Sequence, residues 1–443
     1  MKAVPGWFWL TALLMPLVFA ATPTPAQTSA DSTAQAKADS TVQMVGSYEP
    51  NDGFRVAGGK GGVLNVRIFT YLRYLNQKGL DATWTDSFGK TSTLDRRQDI
   101  QMQKVVVFFQ GWLMDPNFRY VAYVWTSNPS QGLGAQVVVG GNLNYVVSPH
   151  LIVGGGIENL PGVRSCEGNF PFWLTVDNRL MADEFMRGSF TMGVWAKGKV
   201  VDRLSYRLML ANNLSQLGVD AAQLDDGLNT FASSLIWLPS TGEFGTSGTF
   251  GDFDSHQKTA MRLAAHFLRS DENSQGQANT DAFENVQIRL SDGNPIFTPN
   301  LFGPGIQIKD AAYHMASTDG GVKYHGLSLD GEFYWRWVNN LRGPLTETLP
   351  FTQFDDHGFQ VQASAMVVPK ALQGYVGVSK VYGQYGNPSD LRLGVNWYPW
   401  HNYVLRWNTE YLHNNGSPVG GTSLPTQVGA TGDIVYSSLQ VNF

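Results

Sequence analysis

Short segments in which apolar and polar side chains alternate run from about Val63 to the last residue, and this pattern most restricts what the chain can fold into. Its clearest instance is residues 433–443, Asp-Ile-Val-Tyr-Ser-Ser-Leu-Gln-Val-Asn-Phe. Val435, Leu439, Val441 and Phe443 fall on one face of an extended strand, and Tyr436, Ser438, Gln440 and Asn442 on the other. A strand that keeps its pattern up to a terminal aromatic reads as the closing strand of a membrane barrel, with the ring at the interface. Taken alone, the stretch also fits an edge strand of a soluble sandwich.

The same alternation recurs along the chain. In Asn65–Asn76, Val66, Ile68, Leu72 and Tyr74 oppose Asn65, Arg67, Tyr71 and Arg73. In Gln101–Leu113, Val105, Val107, Phe109 and Leu113 oppose Lys104, Gln110 and Trp112. Further strands are expected at Phe118–Ser127, Gly134–Val147, His150–Glu158, Gly188–Gly198, Arg203–Asn213, 230–239, 259–270, 318–326, 327–338, 357–368, 371–381, 390–398 and 402–412. The connections between them alternate in length. Short ones such as 148–149, 199–202 and 369–370 are interleaved with long polar ones at 77–100, 159–186, 214–229, 240–258, 271–317, 340–356 and 413–432. No fixed repeat period is present, which speaks against a propeller or solenoid. The expected fold is all-β: a transmembrane antiparallel up-and-down barrel of about 16 strands over 51–443.

Composition agrees. Charged residues are 15% of the chain, against the ~25% of ordinary soluble domains. Residues 1–26 read as a signal peptide, with Lys2, the apolar run Trp7–Ala21 and small-residue cleavage sites after Ala20 or Ala26. Residues 27–50 read as a flexible periplasmic linker. No later stretch reaches the ~18 uninterrupted apolar residues of a spanning helix, so a membrane form must cross as strands. The expected location is the outer membrane of a Gram-negative bacterium. The net charge of −5 argues against a nucleic-acid partner. The lone Cys166 excludes an internal disulfide.

The polar faces suggest what the lumen would meet. Arg67, Arg73, Lys104, Arg203, Arg207, Arg262, Arg336, Arg392 and Arg406 are expected to line the pore, against the acidic Asp330, Glu332 and Glu410. Arginine and lysine rings select anions in pores, while pairing of these residues with Asp and Glu would merely keep the lumen wet. The stretch 160–187 is the expected constriction loop, with Arg164, Arg179, Asp183, Glu184 and Arg187 facing the permeant. Phe170, Phe172, Trp173, Leu174 and Phe185 would tack it to the inner wall. An external loop packed on its neighbours is the other reading of that stretch.

Several stretches resemble the phosphate-selective porin O and P family and related proteobacterial porins. They are Leu64–Asp81, Gly111–Asn128, Asp177–Trp195, Asn212–Val219, Lys323–Trp337, His357–Pro369 and the Phe443 terminus. The resemblance implies a 16-stranded homotrimeric outer-membrane porin. Its third external loop would be the constriction and would match Leu160–Arg187, and its C-terminal strand would be read by the barrel assembly machinery. Small anions, with phosphate among them, or polar nutrients would be the permeants, and outer-membrane lipids the surroundings.

Two other functions compete with a passive channel: a lipid-acting barrel enzyme and a non-conducting structural barrel. The sequence has no G-x-S-x-G, H-E-x-x-H or C-x-x-C motif, and its histidines (His150, His256, His266, His314, His325, His357, His401 and His413) are scattered. No catalytic residue, metal site or cofactor is therefore expected.

Overall fold

A computed structural model of the chain describes residues 45–49, 52–127, 136–167, 172–217, 219, 223, 227–277, 288–420 and 425–443. The signal peptide and nearly all of the linker lie outside the described residues. The main sheet has 18 strands. Two are the short segments Tyr48–Glu49 and Gly53–Gly59; the other sixteen close into an antiparallel barrel. In chain order these are β1 (Gly62–Leu80), β2 (Gln98–Leu113), β3 (Asp115–Ser127), β4 (Gln136–Ser148), β5 (Leu151–Asn159), β6 (Phe190–Val201), β7 (Leu204–Ala211) and β8 (Thr230–Trp237). They continue with β9 (Ala260–Asn273), β10 (Asp310–Tyr324), β11 (Leu327–Arg342), β12 (Phe354–Val368), β13 (Leu372–Tyr382), β14 (Ser389–Trp397), β15 (Leu405–Asn415) and β16 (Gly432–Asn442). No described helix is long and apolar enough to cross a membrane.

Each strand pairs with its sequence neighbours, and β1 closes the ring. One edge of β1 pairs with β2 (Asn65↔Gln110). The other is shared: β16 takes its upper part (Leu72↔Leu439), and Gly53–Gly59 takes its lower part (Phe54↔Val66). The terminal residue sits at this junction. The Phe443 amide donates to the Ile68 carbonyl at 2.9 Å, and its ring lies 6.2 Å from that of Phe54. Among the described residues, closure pairs both edges of each of the sixteen barrel strands, a requirement for a sheet surrounded by lipid.

Alternation sorts the side chains as the sequence implies. Val435 and Leu439 point outward and are exposed, while Tyr436, Ser438 and Gln440 point inward and are buried. The outer wall carries Leu72, Val194, Leu208, Phe333, Val376 and Leu393, all exposed. Of the tryptophans, Trp237, Trp335, Trp397, Trp400 and Trp407 lie exposed on the outside, while Trp125 and Trp195 face inward.

One end of the barrel carries the tight turns, which use left-handed residues: Met114 (φ 61°), Arg203 (φ 64°), His325 (φ 50°) and Lys370 (φ 57°). The opposite end carries the long connections. Segment 238–259 departs from the sequence-based grouping with the long loops. It joins β8 to β9 and therefore lies at the turn end. Length and polarity made it look like a loop; strand parity fixes its side.

Inside the barrel, aromatic rings lie flat over glycines of the neighbouring strand. A Cβ on Gly394 would come within 2.1 Å of the Tyr375 ring, whereas one on Gly374 would meet nothing within 4 Å. Gly394→Ala is therefore expected to destabilise the barrel by about 1–3 kcal/mol through overpacking, and Gly374→Ala to have little effect. Equal unfolding midpoints of the two variants, measured by heat modifiability on gels, would contradict this packing.

Candidate functional site

The connection 160–189, between β5 and β6, turns into the barrel and runs down its inner wall. Its α-helix, α1 (Met181–Met186), is wholly buried. The helix is hung from the wall by its first amides: Met181 donates to Asp390 Oδ2 at 3.2 Å and Ala182 to Ser379 Oγ at 3.0 Å. Such free N-terminal N–H groups are the natural partners of wall carboxylates and hydroxyls.

Below α1 the loop is held by inward-facing basic residues. Lys104 pairs with Asp177 at 2.6 Å, and Asp177 also accepts from Tyr71 Oη at 2.8 Å. Arg73 donates to the Val176 carbonyl at 3.2 Å and to Asn178 Oδ1 at 3.3 Å. Arg406 donates to the carbonyls of Trp173 (2.7 Å) and Thr175 (3.2 Å), and Arg392 to that of Arg179.

The first limb of the loop is tied the opposite way, with its own charges meeting wall carboxylates. Arg164 pairs with Asp330 at 2.7 Å, and its amide donates to Glu332 Oε1 at 3.1 Å. Glu167 receives both terminal nitrogens of Arg262, which also binds Asp319 at 2.6 Å. Burial works to raise the Glu167 carboxyl, but Arg262 more than offsets it and holds the group below its usual range. Burial pushes Asp183 up to about 7 against the pull of Arg179. Glu184 binds Arg187 at 2.5 Å and Arg179 at 3.5 Å.

Of the residues expected to line the pore, Arg67, Arg73, Lys104, Arg262, Arg336, Arg392 and Arg406 are inward and buried. Arg67 lies 4.3 Å over the Phe108 ring, and Arg336 binds Asp356 at 2.5 Å. Arg203 does not line the lumen. It sits in the β6–β7 turn with an exposed side chain that donates to the Pro239 carbonyl at 2.9 Å, because the tight turn needs a left-handed residue there. In the loop, Arg164, Arg179, Asp183, Glu184 and Arg187 are all buried among partners. Phe170 lies outside the described residues. Sequence reading missed Lys197 and Lys323, both inward; their parity with Trp195 and Asp319 would have found them.

Glu167, His266 and Asp319 present ligand atoms close to one another. Arg262 already lies between the two carboxylates, so the cluster is charge-compensated without a metal.

A second segment enters from the turn end. Residues 238–259 bury Phe244, Phe250 and Phe253. Lys323 Nζ donates to the carbonyls of Phe244 and Thr249, each at 2.7 Å. His256 clasps the segment: its Nδ1 meets Asp252, its Nε2 lies 3.0 Å from Glu243, and Gly326 N donates to Asp252 Oδ2 at 2.7 Å.

The wall is thus covered unevenly. Inward residues of β9–β16 such as Arg262, Lys323, Asp330, Arg336, Arg392 and Arg406 are at most 3% exposed. Those of β3–β7 are mixed: Val121, Tyr123, Trp125, Asn142, Asn144, Lys197 and Arg207 remain partly exposed, while Thr191, Trp195 and Met209 are buried. The least covered part of the described inner wall lies along β3–β7. There Lys197 and Arg207 are direct cross-strand partners, and neither has a hydrogen bond or ion pair among the described residues.

No family model matches the chain, and no curated protein matches it. Solved structures do. The outer-membrane expressed OmpT of Vibrio cholerae aligns with a TM-score of 0.52 at 10% identity, covering 87% of this chain and 99% of its own. The outer membrane channel DcaP of Acinetobacter baumannii gives 0.52 at 10%, covering 87% and 99%. The anion-selective porin from Comamonas acidovorans gives 0.51 at 10%, covering 86% and 100%. At these identities the shared property is the fold, a 16-stranded porin-type barrel.

The His256 clasp carries a pH dependence. The Asp252 hydrogen bond, then Glu243, raise the His256 pKa against the opposing effect of burial, and the bonds from His256 and Gly326 lower that of Asp252. A raised histidine contributes fully below its unfolded value of ~6.5 and loses that contribution as pH rises through the folded value; the lowered aspartate contributes above ~3.9 and loses it as pH falls through its depressed value. Cleavage of 238–259 by an added protease should therefore increase as pH rises above neutrality. His256→Ala should be cleaved readily at every pH, and a wild-type pH profile in that variant would rule the clasp out.

Proposed function

We propose that the protein is an outer-membrane porin of a Gram-negative cell: a passive channel, not an enzyme, for small hydrophilic solutes, with a preference for anions. The observation that carries this reading is the polar, partly exposed wall along β3–β7 inside a closed barrel whose other wall is covered by the infolded loop. That loop, 160–187, is the constriction. Assembly as a homotrimer and recognition of the Phe443 strand by the barrel assembly machinery belong to the same proposal, on the support of the family resemblance.

The anion preference rests on fewer residues than the sequence indicated. The arginines of β9–β16 are matched by carboxylates and loop carbonyls, so their fields largely cancel at the permeant. Lys197 and Arg207 face each other with no direct ion pair among the described residues, and the carboxylates of Glu158 and Glu167 act on them only through space. Like charges directly opposed across strands destabilise the pair, and a passing anion relieves that repulsion. Small inorganic anions, phosphate among them, and carboxylate-bearing nutrients have the required chemistry. The burial of the β9–β16 wall favours a second reading, a barrel too filled to conduct.

The test is the zero-current potential of the purified protein in a planar bilayer under a KCl gradient. Discrete steps reversing on the anion side are expected. Lys197→Ala with Arg207→Ala should move the reversal toward cations, while Arg269→Ala on the outer wall should not. The absence of steps from folded protein would favour the filled barrel, and an unmoved reversal in the double variant would remove these two residues from the ion path.

A further inference from the structure

The turn-end segment 238–259 has no role in the reading above. The other described connections at that end are tight, and even the longest spans only 398–404. Turning the chain therefore does not require this length. The segment also does not lie across the rim. It rises along the inner wall until Gly251 reaches Ser364 and Gln373; a Cβ there would come within 2.6 Å of Gln373 Nε2 and 2.9 Å of Leu174 Cδ2. Ser364 is four residues inside the turn end of β12 at Val368 and Gln373 one residue inside that of β13 at Leu372, so the segment reaches at most about 13 Å along the strands.

At that depth it meets the infolded loop. Phe250 N donates to the Phe172 carbonyl at 3.1 Å. Arg164 donates to the carbonyls of Gly248 (3.3 Å) and Thr249 (3.2 Å), and its guanidinium lies 4.2 Å from the centre of the Phe250 ring. Phe250 joins Trp173, Leu174 and Tyr375 in one apolar cluster. The two segments, entering from opposite ends, form a continuous partition against β9–β16. The turn-end segment carries Glu243, Asp252 and Asp254 against Lys258; Lys370 lies 3.8 Å from Asp254 and His256 bridges the other two, so the negative charge it adds at that mouth is partly offset.

We propose that segment 238–259 is a second constriction, entering from the turn end, that sets the size limit of the lumen together with the infolded loop and lowers its anion preference; this rests on the channel reading. The backbone contacts fix its position, and the acidic residues, in excess over Lys258 and partly offset by Lys370 and His256, give it its electrostatic sign. A permeant arriving along β3–β7 passes the loop first and this segment last.

The test replaces 240–258 by a short Gly-containing turn in the full chain and records single channels and the reversal potential in KCl. Conductance should rise about twofold or more, as it follows the open cross-section, and the reversal potential should move further toward anions. A larger sugar should also begin to enter proteoliposomes. The milder variant Phe244→Ala/Phe250→Ala keeps the segment and should change conductance in the same direction. Wild-type conductance and reversal in the folded deletion would overturn the proposal; if the deletion does not fold, the same result in the double variant would. A silent wild type with a conducting deletion would refute the passive-channel reading while upholding the constriction, and a conducting wild type with an unchanged deletion would do the reverse.

Discussion

Charge compensation between the inner wall and the loop folded onto it is what the rest of this structure depends on. The wall of β9–β16 and β1 brings Arg73, Arg262, Arg336, Arg392 and Arg406 into a space with little water. Buried charges of this kind require partners, and removing one partner from a buried pair costs about 3–5 kcal/mol. The loop supplies some partners as bare carbonyls, from Trp173, Thr175, Val176 and Arg179. It supplies others as side chains: Glu167 to Arg262, and Arg164 to Asp330. Lifting it off the wall would uncover several such groups together. The loop is therefore a fixed part of the barrel.

Much of this was legible from alternation. The period of two gave the strands and put Arg67, Arg73, Lys104, Arg262, Arg336, Arg392 and Arg406 on the inward face. Parity cannot say what a side chain meets once inside. Loop carbonyls have no signature in a sequence, so alternation leaves Arg73 and Arg406 open between an anion-selecting ring and paired residues, whereas Val176 and Trp173 bind them. Arg203 was misplaced for a local reason, since an alternating pattern does not mark the residue at which the chain turns left-handed. Segment 238–259 was misplaced for a topological one. Its composition matches that of the long loops, and only counting strands to β8 puts it at the other end.

The packing of Tyr375 over Gly394 recurs along β3–β6. Tyr123 lies over Gly140, where a Cβ would come within 2.5 Å of the ring, and Trp195 over Gly154, where it would come within 2.3 Å. A ring lying flat on a glycine takes up less of the bore than one standing on a larger neighbour. The glycines of β4 and β5 thus keep the passage wide where the aromatics line it. Trp195 is held down by its Nε1, which donates to Asn144 Oδ1 at 2.9 Å.

A channel's selectivity follows the charges a permeant meets, weighted by how far their partners cancel them. Arg73, Lys104, Arg262, Arg392 and Arg406 hold the loop, Lys323 holds segment 238–259 and Arg336 binds Asp356, and their fields are matched within a few ångströms. Lys197 and Arg207 are different because they stay partly exposed, face each other across β6 and β7, and make no direct ion pair among the described residues. The arrangement that makes the loop rigid therefore also confines the selective charge to one side of the barrel. Selectivity here is a property of the uncovered wall, and the size of the arginine inventory is a poor guide to it.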